Sequence, residues 1–305
     1  MRHILSLLLC LITLTALSQQ RPLNSMYMLD PLLINPAYAG NHVQFSATGI
    51  HRNQWVNFPG SPQTSTFSMH SGFWGSRVGI GLILSHETIG VHEDVGLFGQ
   101  YSYKIFSDAG VLSMGVSAGF NNLRSDFSSL RLIDLNDPNL AGQRSKFNPN
   151  FGAGVYWSGV NGLFLGFSAP YLINNKIVDI EGIPSIATQK RNYYLSATKV
   201  FQYSPNVTLY PSFLLRMQEG APITFDLNFN MSFYKVVGLG FSYRNQDAIL
   251  FLLQLKVLEN LHIGYAYDFT LSEIRQYSEG THEIMFNYRV KLGRIHKGIE
   301  CPSYY

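Results

Sequence analysis

Four charged residues stand on the small or polar face of segments whose other face is apolar. They are Asp226, Arg244, Asp268 and Glu283. Carboxylate and guanidinium groups that are shielded from water together form charge-assisted hydrogen bonds, which can close a structure or hold a segment in place. The same residues could instead line a conducting pore, although selective pores tend to use one sign of charge. We therefore predict an internal ion-pair network and keep a pore lining as the alternative.

A second group of titratable residues, His86, Glu87, His92, Glu93 and Asp94, surrounds a predicted hairpin. Imidazole and carboxylate groups can ligate a divalent metal ion. Their spacing matches no zinc signature, and we interpret them as solvated loop charges. The sequence also has no nucleophile elbow, no H-E-x-x-H pair and no phosphate-binding loop. We therefore expect no enzymatic activity and assign no catalytic, cofactor-binding or metal-binding residue.

Asn35, Pro36, Tyr38 and Gly40 belong to a short motif, NPAYAG, that could recognise a partner. The simpler interpretation is a turn that leads into the first strand. Pro36 fixes the backbone angle φ, and Gly40 permits a sharp bend. We favour the turn and keep partner recognition as the alternative.

A second motif follows the first predicted strand and contains Arg52, Gln54, Trp55, Pro59 and Gly60. Its proline and glycine residues restrict the shape of the loop. Tryptophan and arginine are favoured anchors at protein interfaces, so the loop could fold into the interior or bind a passing chain. Tryptophan is also common at the boundary between membrane and water. The residues alone support both interpretations.

All these residues belong to, or adjoin, segments in which large apolar side chains alternate with small or polar ones. A period of two predicts β-strands with one apolar face. Most of the segments have about ten residues, which is enough for a tilted strand to cross a bilayer. Pro211 lies inside one of them and has no N–H, so we expect a bulge or local opening there. The fourteen predicted strands are 42–51, 63–72, 76–86, 94–105, 111–122, 150–158, 161–168, 192–202, 206–217, 222–233, 235–244, 247–257, 261–270 and 281–291.

The connections between these strands differ in length in a regular way. The long ones, 52–62, 124–149, 169–191 and 270–280, all follow odd-numbered strands. Outer-membrane barrels combine short periplasmic turns with long outer loops. Charged residues make up only 13% of the chain and aromatic residues 14%, which also suits contact with lipid. We predict an all-β transmembrane barrel of the outer membrane with about 14 antiparallel strands, and keep a soluble β-sandwich as the alternative.

The N-terminus has the pattern of a cleaved signal peptide, residues 1–18, with a basic end, a short apolar core and small residues before the cut. A retained signal anchor is the alternative. Residues 19–41 would form a periplasmic segment that plugs the lumen or caps its mouth. Residues 42–292 would form the barrel, and residues 293–305 a periplasmic tail, so that both termini are periplasmic. The mature chain would keep one cysteine, Cys301, which cannot form an intramolecular disulfide.

Several motifs occur in an order that resembles one family. They are NPAYAG at 35–40, RNQW at 52–55, YAYD at 265–268 and HEIM at 282–285. Together they resemble the PorP/SprF family of outer-membrane proteins, which belongs to the type IX secretion system. The resemblance extends over essentially the whole mature chain.

The resemblance implies a barrel that supports export or surface attachment of large cell-surface proteins, such as gliding adhesins. Its partners would be outer-membrane lipid, the periplasmic ring components of the machine, and a secreted surface protein with a C-terminal targeting domain. The alternative is an outer-membrane channel for a small solute, of the fatty-acid transporter kind. The net charge of +3 without a basic run gives no reason to expect nucleic acid as a partner.

Overall fold

The computed structural model of the protein describes residues 23–41, 44–73, 76–127, 143–175 and 190–291. The predicted signal peptide, residues 1–18, and the tail, residues 293–305 with Cys301, lie outside this described part. No helix in the described ranges is long and apolar enough to cross a membrane.

Antiparallel strands form nearly all of the described chain. They are β1 (Phe45–Asn53), β2 (Gln63–Phe73), β3 (Val78–Ile89), β4 (His92–Ser107), β5 (Gly110–Asp126), β6 (Gln143–Gly159), β7 (Leu163–Tyr171), β8 (Asn192–Lys199), β9 (Phe201–Ser204), β10 (Val207–Gln218), β11 (Thr224–Phe233), β12 (Val237–Arg244), β13 (Ala248–Leu258), β14 (Leu261–Thr270) and β15 (Thr281–Val290). Each strand pairs with the next one around the wall, and β15 pairs with β1, so the sheet closes.

One strand position is occupied by two segments. Both β8 and β9 pair with β10, and together they leave Tyr210 and Pro211 of β10 without a partner on that side. Val200, between β8 and β9, donates its N–H to Gly162 in the neighbouring turn instead. The interruption lies opposite Pro211, where a local opening is expected because proline has no N–H. The wall therefore has fourteen strands, and the predicted all-β barrel is confirmed.

The two faces of the wall have opposite chemistry. In β11, Leu227 and Phe229 expose 50% and 48% of their surface on the outer face, whereas Asp226, Asn228 and Asn230 are buried on the inner face. A soluble sandwich would bury the apolar face and expose the polar one. The observed pattern suits a barrel that presents its apolar face to lipid, because exposed apolar side chains are favourable in lipid and unfavourable in water.

We call the two ends of the barrel the loop end and the turn end. The loop end has the connections 54–62 and 271–280, whereas the turn end has short turns such as 108–109 and 259–260. Part of the predicted long loop 124–149 is strand, because β5 extends to Asp126 and β6 begins at Gln143. These extensions are rich in polar residues, so they lack the alternation that predicts a lipid-facing strand.

Short 3-10 helices lie outside the wall strands. They are η1 (Pro31–Leu33), η2 (Pro36–Tyr38) and η3 (Glu273–Gln276). The first two belong to the N-terminal segment, and η3 lies in the connection 271–280 at the loop end.

Candidate functional site in the barrel lumen

Residues 23–41, which we call the lumenal segment, run through the interior of the barrel. Met26, Leu32, Ala37 and Ala39 each expose 1% of their surface or less. The segment starts at the loop end, where Leu23 lines a cavity together with Trp55 and Asp247. It ends at the turn end, where Gly40 lies against Ser71 and Gly79. The sequence allowed a plug in the lumen or a periplasmic cap for this segment, and its described part occupies the lumen.

An ion cluster near the loop end holds the start of the segment. Arg52 of β1 contacts Asp268 of β14 at 2.8 Å and Glu283 of β15 at 3.1 Å. The Ser25 hydroxyl donates to Asp268 at 2.6 Å, and the backbone N–H groups of Ser25 and Met26 donate to Glu283 at 2.7 and 2.8 Å. Arg52 also donates to the Ser25 hydroxyl oxygen. We call these residues the Arg52 cluster.

A second ion group lies on β11 and β12, which β13 separates from the strands of the Arg52 cluster. Arg244 of β12 contacts Asp226 of β11 at 3.2 Å and Asp247 at 3.5 Å. The four residues predicted as one lumenal network are thus divided in the structure: Asp226 and Arg244 pair directly, whereas Asp268 and Glu283 meet at Arg52. All of them are buried.

Arg52, which is predicted to lie in the loop after the first strand and apart from the network, contacts two of the network residues. Arg52 belongs to β1, the residue is 3% exposed, and its side chain faces the lumen. Ser46, Thr48 and Ile50 are buried on the same face. Extending the predicted strand 42–51 by one residue with the same alternation therefore places Arg52 inside the barrel.

The NPAYAG motif lies in the turn-end half of the lumen. The Asn35 side chain accepts a hydrogen bond from the N–H of Ala37 at 3.0 Å, which caps η2, and donates to the Val155 carbonyl at 2.9 Å. Tyr38 packs edge-on against Tyr156, with ring centroids 5.3 Å apart. Gly40 has φ of +61°, so it occupies a backbone region that favours glycine. The motif therefore forms a turn whose side chains contact the inner wall.

Glycines on the inner wall make room for this motif. A Cβ atom added at Gly79 would lie 2.0 Å from the Ala39 carbonyl oxygen, and one added at Gly115 would lie 2.3 Å from the Ala37 nitrogen. At Gly154 it would lie 2.2 Å from the Asn35 side-chain oxygen. Real atoms cannot approach so closely, and glycine in a strand often marks such a close approach of another backbone.

Polar side chains of the wall bond to the rest of the segment. Because the segment is not part of the sheet, its buried backbone groups need partners of this kind. Ser102, Lys104 and Ser168 donate to the backbone carbonyls of Ala39, Gly40 and Ile34, respectively. Two more wall residues donate to side chains of the segment, Ser68 to the Asp30 carboxylate and Asn228 to the Tyr27 hydroxyl. Hydrogen bonds therefore fasten the segment to the wall along most of its length.

The loop-end motif lies across the mouth of the barrel. Trp55 is half-buried with φ of +50°, and its backbone N–H donates to the Thr281 hydroxyl at 3.1 Å. Gln54 and Trp55 line a cavity of about 280 Å³. Pro59 and Gly60 are exposed at the tip of the loop. The loop thus presents its proline–glycine tip to solvent, and its tryptophan faces the mouth.

The residues of the His86–Asp94 group are divided between the two faces of the wall. His86 and Glu93 contact each other at 2.9 Å on the outer face, where both are exposed. Glu87 and Asp94 are paired on neighbouring strands and line a cavity in the lumen. The group therefore does not converge on one point.

A closed wall with an apolar outer face and a filled polar interior defines an integral β-barrel of the outer membrane. The chain belongs to the family of type IX secretion system membrane proteins named PorP/SprF, which it matches over residues 16–288. It is therefore an outer-membrane component of that secretion system, and the predicted family and location are confirmed.

Solved structures that are similar to this chain include several outer-membrane proteins. The toluene transporter TbuX of Ralstonia pickettii has a TM-score of 0.53 and 7% identity, over 87% of this chain and 93% of that chain. A FadL homologue of Pseudomonas aeruginosa scores 0.44 with 14% identity, over 81% and 88%. Omp33 of Acinetobacter baumannii scores 0.46 with 9% identity, over 83% and 100%. The similarity to TbuX concerns the fold alone. No curated protein matches the sequence.

Proposed function

We propose that this barrel acts by binding and that it supports the export or surface attachment of large cell-surface proteins, such as gliding adhesins. The lumenal segment is the observation that carries the proposal, because ion pairs, hydrogen bonds and close glycine contacts hold it inside the wall. A barrel that is filled by its own chain offers its mouths and loops as binding surfaces. On this proposal the protein conducts no solute and catalyses no reaction.

The two ends of the barrel would bind different partners. We assign the loop end to the cell surface, where the exposed tip with Pro59 and Gly60 would contact a secreted protein that carries a C-terminal targeting domain. The turn end would face the periplasm, where β15 ends at Val290 and the tail 293–305 follows in sequence. This assignment agrees with the predicted periplasmic position of the tail but not with that of the N-terminal segment, whose first described residue, Leu23, lies at the loop end. That end would bind the periplasmic ring components of the secretion machine. Asp226, Arg244 and the Arg52 cluster would keep the segment in place and the lumen closed.

Affinity purification of the tagged, full-length chain from detergent-solubilised outer membranes tests this function. We expect periplasmic components of the type IX system and a secreted protein with a C-terminal targeting domain to co-purify. The variant Trp55→Ala with Pro59→Gly should lose the secreted protein at least tenfold and keep the periplasmic components, because it changes only the loop end. Leu227→Val, a lipid-face change at the middle of β11, is the matched control and should lose neither. Recovery of the barrel without any secretion component would contradict the proposal.

A further inference from the structure

A groove of about 440 Å³ crosses the outer face of the wall toward the loop end. Gly49 of β1 forms its floor, and a Cβ atom added there would meet nothing within 4 Å. Phe67 of β2 and Phe286 of β15 are the direct strand neighbours of Gly49, and both rings are exposed on the outer face. The groove is therefore a preformed slot with an aromatic wall on each side.

The width of the slot suits a single hydrocarbon chain. Neighbouring strands lie about 4.8 Å apart, so the backbones of Phe67 and Phe286 are roughly 10 Å apart across Gly49. Carbon atoms in contact lie at about 3.5–4.0 Å, so one chain above the glycine can contact both rings. Leu84 and Ile284 extend the apolar lining.

Polar groups lie at the loop end of the slot. His51, one outward position beyond Gly49, is hydrogen-bonded through Nδ1 to the Ser65 hydroxyl at 2.9 Å. Its other ring nitrogen, Nε2, has no hydrogen-bond partner within the described ranges of the chain. His86, which is hydrogen-bonded to Glu93, is a second histidine that lines the groove. The slot is therefore apolar along its length and polar at one end, which is complementary to an amphiphile with an apolar chain and a polar head group.

We propose that this slot binds one acyl chain of a membrane lipid from the leaflet at the loop end, with the lipid head group hydrogen-bonded to His51. The slot opens on the surface that already faces lipid, and its polar end lies where the apolar band of the wall ends. A second copy of the chain or a partner protein is a poorer occupant, because stable protein interfaces bury about 800 Å² on each side. The slot is one residue wide and offers no such area.

Photocrosslinking in vesicles tests the proposal. The full-length barrel is reconstituted in phosphatidylethanolamine vesicles that contain a small fraction of the same lipid with a diazirine on its acyl chain. After illumination, crosslinks should be at least fivefold more frequent on peptides from β1 and β2 than on peptides from β11 and β12, which face lipid as well. Gly49→Leu fills the slot and should remove this excess.

The matched control is Gly99→Leu. Gly99 also faces outward, on β4, and an added Cβ would meet only the Ala118 carbonyl oxygen at 3.8 Å. Gly99→Leu should leave the crosslinks on β1 and β2 unchanged. His51→Ala does not fill the slot and should lower these crosslinks, because it removes the bond to the head group. Even labelling around the wild-type wall would overturn the proposal. It would also be overturned if Gly49→Leu kept the labelling but lost a co-purifying protein, since that result identifies a protein contact.

Discussion

The substitution Arg52→Met is expected to destabilise the barrel by about 3–5 kcal/mol, the usual loss when one partner of a buried ion pair is removed. Arg52 is buried between two carboxylates, Asp268 at 2.8 Å and Glu283 at 3.1 Å. Methionine replaces the apolar stem of the arginine side chain but leaves both carboxylates without their cation. Urea unfolding of the protein folded into lipid vesicles measures the loss.

A triple variant separates the charge effect from a simple packing effect. Adding Asp268→Asn and Glu283→Gln to Arg52→Met removes the uncompensated charges and keeps the shapes of the side chains. We expect the triple variant to regain most of the lost stability, because neutral groups of the same shape do not carry the penalty of unpaired buried charge. If the single variant were as stable as the wild type, or the triple variant no more stable than the single one, the ion pairs of Arg52 would not be what stabilises this part of the barrel.

The substitution Phe241→Arg is expected to destabilise the folded barrel by roughly 2–4 kcal/mol, the cost of an arginine that faces lipid near the middle of the bilayer. Phe241 lies on the outer face of β12 between Phe229 and Phe251, and all three are exposed there. Assembly is measured as the fraction of the protein in outer-membrane extracts that migrates as a compact band in SDS without heating.

Two controls accompany this substitution. Phe241→Leu removes the aromatic ring without adding a charge and should assemble normally. Thr88→Arg adds the same charge at the loop-end limit of β3, where the penalty falls to about 0–1 kcal/mol. Equal assembly of Phe241→Arg and Thr88→Arg would show that the outer face does not contact the hydrocarbon of the membrane.

The wall could be predicted from the sequence because each strand carries its own signal. The strand predicted over 261–270 is β14, Leu261–Thr270, since apolar and small residues alternate through all of it. The ends of β5 and β6 could not be predicted in the same way. Beyond the lipid band both faces of these strands meet water or other polar groups, and alternation is no longer required.

The placement of the site could be predicted only in part. The NPAYAG motif and the charged lumenal residues are visible in the sequence, but their partners are distant along the chain. Ser25 and Glu283, for example, are 258 positions apart. Gly79 and Gly115 are predicted as part of a small inner face, and nothing local indicates which segment approaches them. A single sequence contains no record of such long-range pairs.

Single-channel recording in planar bilayers tests most directly whether the chain closes its own barrel. The purified wild-type protein should insert and give no conductance steps, because the lumenal segment fills the space between the strands. A variant that lacks residues 19–41 removes the whole lumenal segment, both the part held by the Arg52 cluster and the NPAYAG motif, and should give stable open steps. Steady conductance from the wild-type barrel, equal to that of the shortened variant, would contradict the closed lumen and would favour a solute channel.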